Sequence, residues 1–303
     1  MILLCGIPSE EPISLLNQAL LQKGAHVVVF SQRQFENANI DWGYKNKKAS
    51  GRLELFNCSY SLDSFSAVYT RFMNEAELPE FKDANQVTKE HCHAFHDSFF
   101  RWLEVTDSCV VNKHSKMFSN SSKPYQAQII RQYGLKIPPT IITNDVRRVN
   151  EFQVDYKKLI YKSISGVRSI VREFGPNDED RLSVIRYCPV QFQAKLEGYD
   201  VRVHVIGSEA IATKVITTGT DYRYAAREGG ETKLESFELP PDVAKSCVEL
   251  TAALGLHFSG IDLLFSDSDG VFCFEVNPMP GYSYYEINTG QLISRVLADY
   301  LLR

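Results

Sequence analysis

The stretch FCFEVNPMPG, residues 272–281, ends an apolar run in Glu275, Asn277 and a proline-rich turn. Upstream, GIDLLFS supplies Asp262, and SDSDG between the two runs is turn-like, so residues 260–277 read as a hairpin. Folded that way, Asp262 comes beside Glu275 and Asn277, and three oxygen donors gather on one edge. That donor set suits magnesium, which keeps its remaining positions for water and phosphate oxygens. Taken alone, Glu-x-Asn at a strand end is more often an acidic terminus facing solvent, and the three residues by themselves leave both explanations open.

A second constellation is HCHAFH, with His91, Cys92, His93 and His96. The pairs Cys92/His96 and His93/His96 are spaced to share a helix face as zinc ligands do. No second ligand pair is spaced to complete such a site, so a polar helix face with ordinary histidines is preferred. The seven cysteines are an odd number without a Cys-x-x-Cys pair, and Cys5, Cys109 and Cys273 lie in apolar runs, which marks them as reduced core residues. No Ser-His-Asp or Cys-His signature is evident.

The elements that position these residues come from a chain of 303 residues, about two domains long, with 44% hydrophobic residues. Basic residues number 33 and acidic ones 37, for a formal charge of −4 without long like-charge blocks, which argues against nucleic acid as a partner. Met1 is followed by ILLCGIP, which lacks the form of a signal peptide, and no apolar run approaches the roughly 18 residues of a membrane helix. A globular, cytoplasmic protein without a membrane partner is expected.

Strand ILLCGI (2–7), helix PISLLNQALLQKG (12–24) and strand HVVVF (26–30) make a β-α-β opening. Strands at RLELF (52–56), AVYTRF (67–72) and CVVN (109–112), with a helix around 85–104, extend it to a small parallel sheet. The first turn, GIPSEE, lacks the second and third glycines of a dinucleotide fingerprint. From about 122 the pattern changes to a helix with a glycine stop and double proline (123–140), then closely spaced strands of antiparallel type, and a closing helix in QLISRVLADYLL. The expected architecture is an α/β N-terminal domain (1–111), then two α+β units of antiparallel sheets with flanking helices (112–187 and 188–303).

With FEVNPMPG, GID thirteen residues before its glutamate, YDVRVHVIG (199–207) and DYRYAAREGG (221–230), the chain resembles the ATP-grasp superfamily. It is most similar to the branch that holds the glutamate-adding ligases of a ribosomal protein and the peptide maturases of microviridin type. The resemblance covers roughly residues 109–302, and AVYTRF is also similar to the maturases.

The resemblance implies roles residue by residue. Lys123 and Lys162 match the two nucleotide lysines, and Gly166 is the single glycine of the following phosphate loop, SISGVRS. PVQFQAKLEG matches the hinge whose backbone, from Gln193 through Ala194 and Lys195 to Leu196, reads the adenine edge. Ala194 replaces the glutamate common there, which turns the ribose contact to another residue such as Glu197. Arg202 and Arg223 match positions beside the transferred phosphate and the acyl intermediate, where a guanidinium forks onto planar oxyanions. Lys214 and Arg227 are further candidates, and Ala225 departs from an asparagine often found there. Asp262, Glu275 and Asn277 match the metal ligands.

Together these imply an ADP-forming carbon–nitrogen ligase that uses ATP and Mg2+, with two ions and Mn2+ an alternative metal. A carboxylate is activated as an acyl phosphate and attacked by an amine, chemistry that needs positioning and charge neutralisation rather than a protein nucleophile. Substrates are expected to be small-molecule or peptide carboxylates and amines; a homo-oligomer is left open. The alternative is a non-catalytic ATP/Mg-binding module of the same fold, resembling the synapsins. Tyr282, Tyr284, Tyr285 and Glu286 either border the acceptor pocket or pack the last helix.

Overall fold

The computed structural model describes residues 1–164, 171–217 and 232–303. The N-terminal strands are β1 (Ile2–Gly6), β2 (Val27–Ser31), β3 (Ala38–Lys45), β4 (Lys48–Leu55), β5 (Cys58–Ser61), β6 (Ala67–Thr70) and β7 (Cys109–Val111). Four of them form a parallel sheet in the order β2-β1-β6-β7. Every residue of β1 is buried, as a strand covered on both faces requires.

RLELF is a correction to the expected parallel sheet. It lies in β4, the centre of a separate antiparallel sheet β3-β4-β5. Asn46 and Lys47, both with positive φ, turn β3 back onto β4 in two residues. A two-residue turn can only join antiparallel neighbours; a parallel pair needs a long crossover.

The helix Gln86–Val105 and this small sheet cover one face of the parallel sheet through Phe95, Phe99, Trp102 and Leu53. The other face packs on helices Glu11–Gln22 and Ile293–Leu301 in a core that also takes Ile206, Val215 and Phe258 from the C-terminal half. The N-terminal unit therefore shares a core with the C-terminal sheet. Asn112 adds a polar tie there: buried, it donates to the carbonyls of Phe258 (2.7 Å) and Pro278 (2.6 Å) and accepts from the N–H of His257 (2.8 Å).

The central strands β8 (Thr140–Thr143), β9 (Leu159–Lys162), β10 (Arg172–Phe174) and β11 (Val190–Ala194) form an antiparallel sheet in the order β10-β9-β11-β8. Helix Val146–Tyr156 covers one face through Val149 and Phe152, against Leu159, Phe174 and Phe192. The C-terminal sheet runs β14-β13-β12-β15-β16 from β12 (Tyr199–Ile206), β13 (Glu209–Thr217), β14 (Thr232–Phe237), β15 (Phe258–Ser266) and β16 (Gly270–Asn277). Helix Pro241–Ala253 covers its far face.

A division at 187 falls before β11, which pairs with β8 and β9. The helix Lys123–Gln132 also sides with the C-terminal sheet, where Ile130 and Leu135 join the core of Val203, Ile261 and Leu263. Apolar contacts thus group the chain differently from its order in sequence. Among the described residues no helix is long and apolar enough to cross a membrane.

Candidate functional site

One row of side chains crosses the near face of the C-terminal sheet. Register pairs Thr213 with Arg202, Arg202 with Asp262, and Asp262 with Glu275. The register shifts between Asp262 and Leu263, so that Leu263 faces Cys273 and Phe274 is the extra residue. That bulge decides where Glu275 points. Cys273 is buried in the helix-covered core, and simple alternation would send Glu275 there too; one inserted residue reverses the phase, so Val276 enters the core and Glu275 joins Asp262.

The donors are close together. Asn277 Nδ2 donates to Asp262 Oδ2 at 3.4 Å and to Glu275 Oε1 at 3.3 Å. Each carboxylate also has a cation: Arg202 Nη1 lies 2.5 Å from Asp262 Oδ1, and Lys123 Nζ 2.5 Å from Glu275 Oε2. Asn120 Nδ2 donates to Asn277 Oδ1 at 3.5 Å. Two carboxylates and an amide are a hard-oxygen set that fits magnesium, and an amide serves with or without a cation because half a turn of its terminal torsion exchanges donor for acceptor.

Arg202 is only 6% exposed and lies 5.8 Å over the Tyr285 ring. Space for it exists because residue 260 is glycine: a Cβ there would stand 2.1 Å from Arg202 Nη2 and 2.7 Å from Pro280 Cβ. Two residues along β12, His204 is fully buried between Phe258 and Tyr285, with neither ring nitrogen hydrogen-bonded among the described residues. Burial, reinforced by the Arg202 charge, holds its pKa well below the usual imidazole range.

The central sheet offers a second edge. Lys162 ends β9 opposite Gln191, on the face turned away from Leu159 and Tyr161 and their helix. Gln193 shares that face, donating to Thr140 Oγ1 at 3.0 Å. The N–H groups of Ala194 and Lys195 already have partners, Pro139 O and Lys158 O, each at 2.9 Å. Lys195 pairs with Glu173 at 2.6 Å and Glu197 with Lys158 at 2.9 Å, both at the surface.

Lys214 is not brought to the row. It pairs across from Val201, which faces the helix-covered core, and its ammonium lies 4.0 Å over the Tyr199 ring. Because neighbours on a strand face opposite ways, Thr213 takes the position beside Arg202 and Lys214 the other side. Gly166, Arg223, Ala225 and Arg227 lie outside the described residues.

The aromatic segment after β16 divides. Tyr282 and Tyr285 are buried in the core, and the Tyr282 hydroxyl donates to Pro12 O at 2.5 Å. Glu286 caps the last helix, accepting from Ser294 N–H and Oγ at 2.6 Å each. Tyr284 is exposed. In the histidine cluster, His93 Nδ1 lies 3.1 Å from Glu75 and Cys92 Sγ 3.8 Å from His96 Nδ1. Among the described residues no group of three or more His, Cys, Asp or Glu is arranged to hold a metal.

Sequence reasoning missed Asn120, Gln126 and Gly260. For Gln126 a signal existed: it follows Lys123 by three residues, one helical turn.

Residues 121–301 match the RimK-like ATP-grasp domain. A probable alpha-L-glutamate ligase of Haemophilus influenzae is 23% identical over 256 residues, 81% of this chain and 82% of that protein. One of Rhodopirellula baltica is 24% identical over 68% of this chain, which spans only 53% of that relative. Among solved structures, a RiPP-associated ATP-grasp ligase of Chryseobacterium gregarium, in complex with ADP and a leader and core peptide, has a TM-score of 0.83 at 22% identity. Coverage there is 99% of this chain and 96% of that one. A macrocyclase of Microcystis aeruginosa bound with a precursor peptide has a TM-score of 0.81 at 21% identity, covering 100% and 99%.

Proposed function

The chain belongs to the RimK-like ATP-grasp family, and from that premise we propose that it is an ATP-dependent, ADP-forming ligase that joins a carboxylate to an amine on a peptide. The observation that carries this is the paired arrangement of Asp262 with Arg202 and Glu275 with Lys123, with Asn277 between the carboxylates. Structural neighbours over nearly the whole chain, in complex with leader and core peptides or bound with a precursor peptide, support the peptide as substrate.

In this reading a substrate carboxylate oxygen attacks the γ-phosphorus of ATP, the bond to the β-phosphate oxygen breaks, and ADP leaves. The amine nitrogen then attacks the acyl carbon, releases its proton to solvent, and expels inorganic phosphate as the C–N bond forms. Magnesium, held by Asp262, Glu275 and Asn277, supplies Lewis-acid neutralisation of the phosphate oxygens when bound. Lys123 and Lys162 bind the phosphates. Arg202, already set in a buried slot, stabilises the charge that develops on the transferred group and then on the tetrahedral oxyanion, and such preorganisation avoids reorientation during reaction. Arg223 and Gly166 are proposed for the same oxyanion and for the phosphate loop, respectively. The hinge beyond Lys195 receives the adenine. Two magnesium ions are proposed, with manganese as a substitute. The free cysteines suit a reducing compartment, and we place the reaction in the cytoplasm.

The test is ADP release from the purified protein with candidate precursor peptides, coupled to mass spectrometry of the peptide. Loss of one water reports intramolecular closure, and gain of one residue reports amino-acid addition. Magnesium-dependent ATP binding without ADP release from any peptide and amine pair would leave a nucleotide-binding module instead.

A further inference from the structure

β16 is the outer strand of its sheet, so the outward N–H and C=O groups have no further strand to meet. Two neighbours take that place. Lys136 pairs with the first half of the strand, its N–H donating to Val271 O (3.1 Å) and its carbonyl accepting from Cys273 N–H (2.8 Å). Beyond the bulge the partner is a side chain. Val276 N–H donates to Gln126 Oε1 at 2.9 Å, and Gln126 Nε2 donates to Val276 O at 2.8 Å.

Val276 is the residue between Glu275 and Asn277. The bulge at Phe274 interrupts the ladder just before them, so strand pairing alone holds this segment less firmly. Gln126 is 1% exposed and grips it on both backbone groups, and its Nε2 also lies 3.5 Å from Ser119 Oγ. One turn earlier on the same helix, Lys123 pairs with Glu275. We propose that Gln126 is a positioning residue for the divalent cation: its amide fixes the Glu275–Val276–Asn277 backbone, sets the spacing of the two ligands, and ties that spacing to the lysine-bearing helix. This rests on the magnesium site described above.

Groups that orient metal ligands without touching the metal cost about 10- to 100-fold in metal affinity when removed. The probe is ADP binding by calorimetry, with and without Mg2+, in Gln126→Met. The expected result is that the factor by which Mg2+ tightens ADP falls about 10-fold or more, while magnesium-free ADP affinity stays at the parent value.

The control is Gln32, equally buried at 1% exposure, whose side chain grips Met73 in the N-terminal unit through the same pair of bonds, at 2.6 and 3.0 Å. Gln32→Met makes the same chemical lesion away from the metal strand and should leave the magnesium factor intact. A parental factor in Gln126→Met, or an equal loss in both variants, overturns the inference. Should Gln126→Met fail to fold, Gln126→Asn keeps the amide but draws it back by one methylene from Val276, and is read by the same ratio. A parent protein that binds ADP with no magnesium effect overturns the metal site itself, a result distinct from failure of Gln126 alone.

Discussion

Lys123 Nζ and Glu275 Oε2, 152 residues apart in sequence, meet at 2.5 Å. A residue proposed for phosphate and one proposed for magnesium thus neutralise each other across the junction of a helix and an edge strand. A magnesium ion held at Glu275 and a phosphate held at Lys123 would each supply the opposite charge that the other residue of the pair supplies here.

Glu275→Gln retains the shape and removes one negative charge from the magnesium set. Turnover should fall by a hundredfold or more, given that removing groups which merely orient ligands costs about 10- to 100-fold in metal affinity. Far-UV circular dichroism should match the parent. Parental turnover of this variant at saturating magnesium would remove Glu275 from the metal site.

Lys162→Ala should weaken ATP by on the order of 1.5–3 kcal/mol, the loss of one charge-assisted contact. Calorimetric titration measures it directly. An unchanged dissociation constant would return Lys162 to the role of a strand-edge cation.

Gly260→Ala and Arg202→Met examine the same guanidinium in two ways. The alanine Cβ would overlap Arg202 Nη2 at 2.1 Å and crowd Pro280 Cβ at 2.7 Å, so the guanidinium has to shift. It should slow turnover by about a hundredfold through misplacement alone. Arg202→Met removes the charge and should slow it by roughly a hundredfold to a thousandfold, with ATP affinity nearly intact because the interaction strengthens in the transition state. ADP release at the parent rate in both variants would exclude Arg202 from the reaction.

His204 gives a pH dependence of folding. In the unfolded chain it takes a proton below about pH 6.5, whereas burial and Arg202 keep it neutral in the fold. The unfolded state then binds more protons, so stability is full above about 6.5 and falls with acidification by up to about 1.4 kcal/mol per pH unit for this one group. His96 and His257, also depressed by burial, add to the slope. His204→Leu should flatten the slope between pH 6.5 and 5 by one proton and raise stability at pH 5, because it removes two buried nitrogens with no hydrogen bonds among the described residues. Denaturant titrations at pH 5 and 7.5 measure it, and an unaltered slope would mean His204 is protonated in the fold.

Much of the site is legible from local pattern. The apolar runs around SDSDG specify a hairpin, and the hairpin by itself brings Asp262 near Glu275 and Asn277. Alternation and helix spacing are properties of a few consecutive residues, so β1, the helix after it and β12 can be read without their partners. Motif resemblance adds Lys123 and Arg202, which pair with Glu275 and Asp262, because each lies in a short recognisable segment; Lys162 stands on the central sheet.

What the chain does not disclose locally is phase and partnership. One inserted residue at Phe274 decides whether Glu275 enters the core or the site, and no composition rule marks it. Whether Thr213 or Lys214 faces Arg202 depends on register with β12, a pairing between strands rather than within one. RLELF has the apolar content of a parallel-sheet strand, yet a two-residue turn places it in a hairpin with β3. Tyr282 and Tyr285 became core because the last helix and the N-terminal sheet close over them. Sequence determined which residues share a face within each regular run, since backbone periodicity alone sets that; tertiary structure decided where a run breaks phase and which faces meet, because burying apolar surface is a competition among all the elements at once.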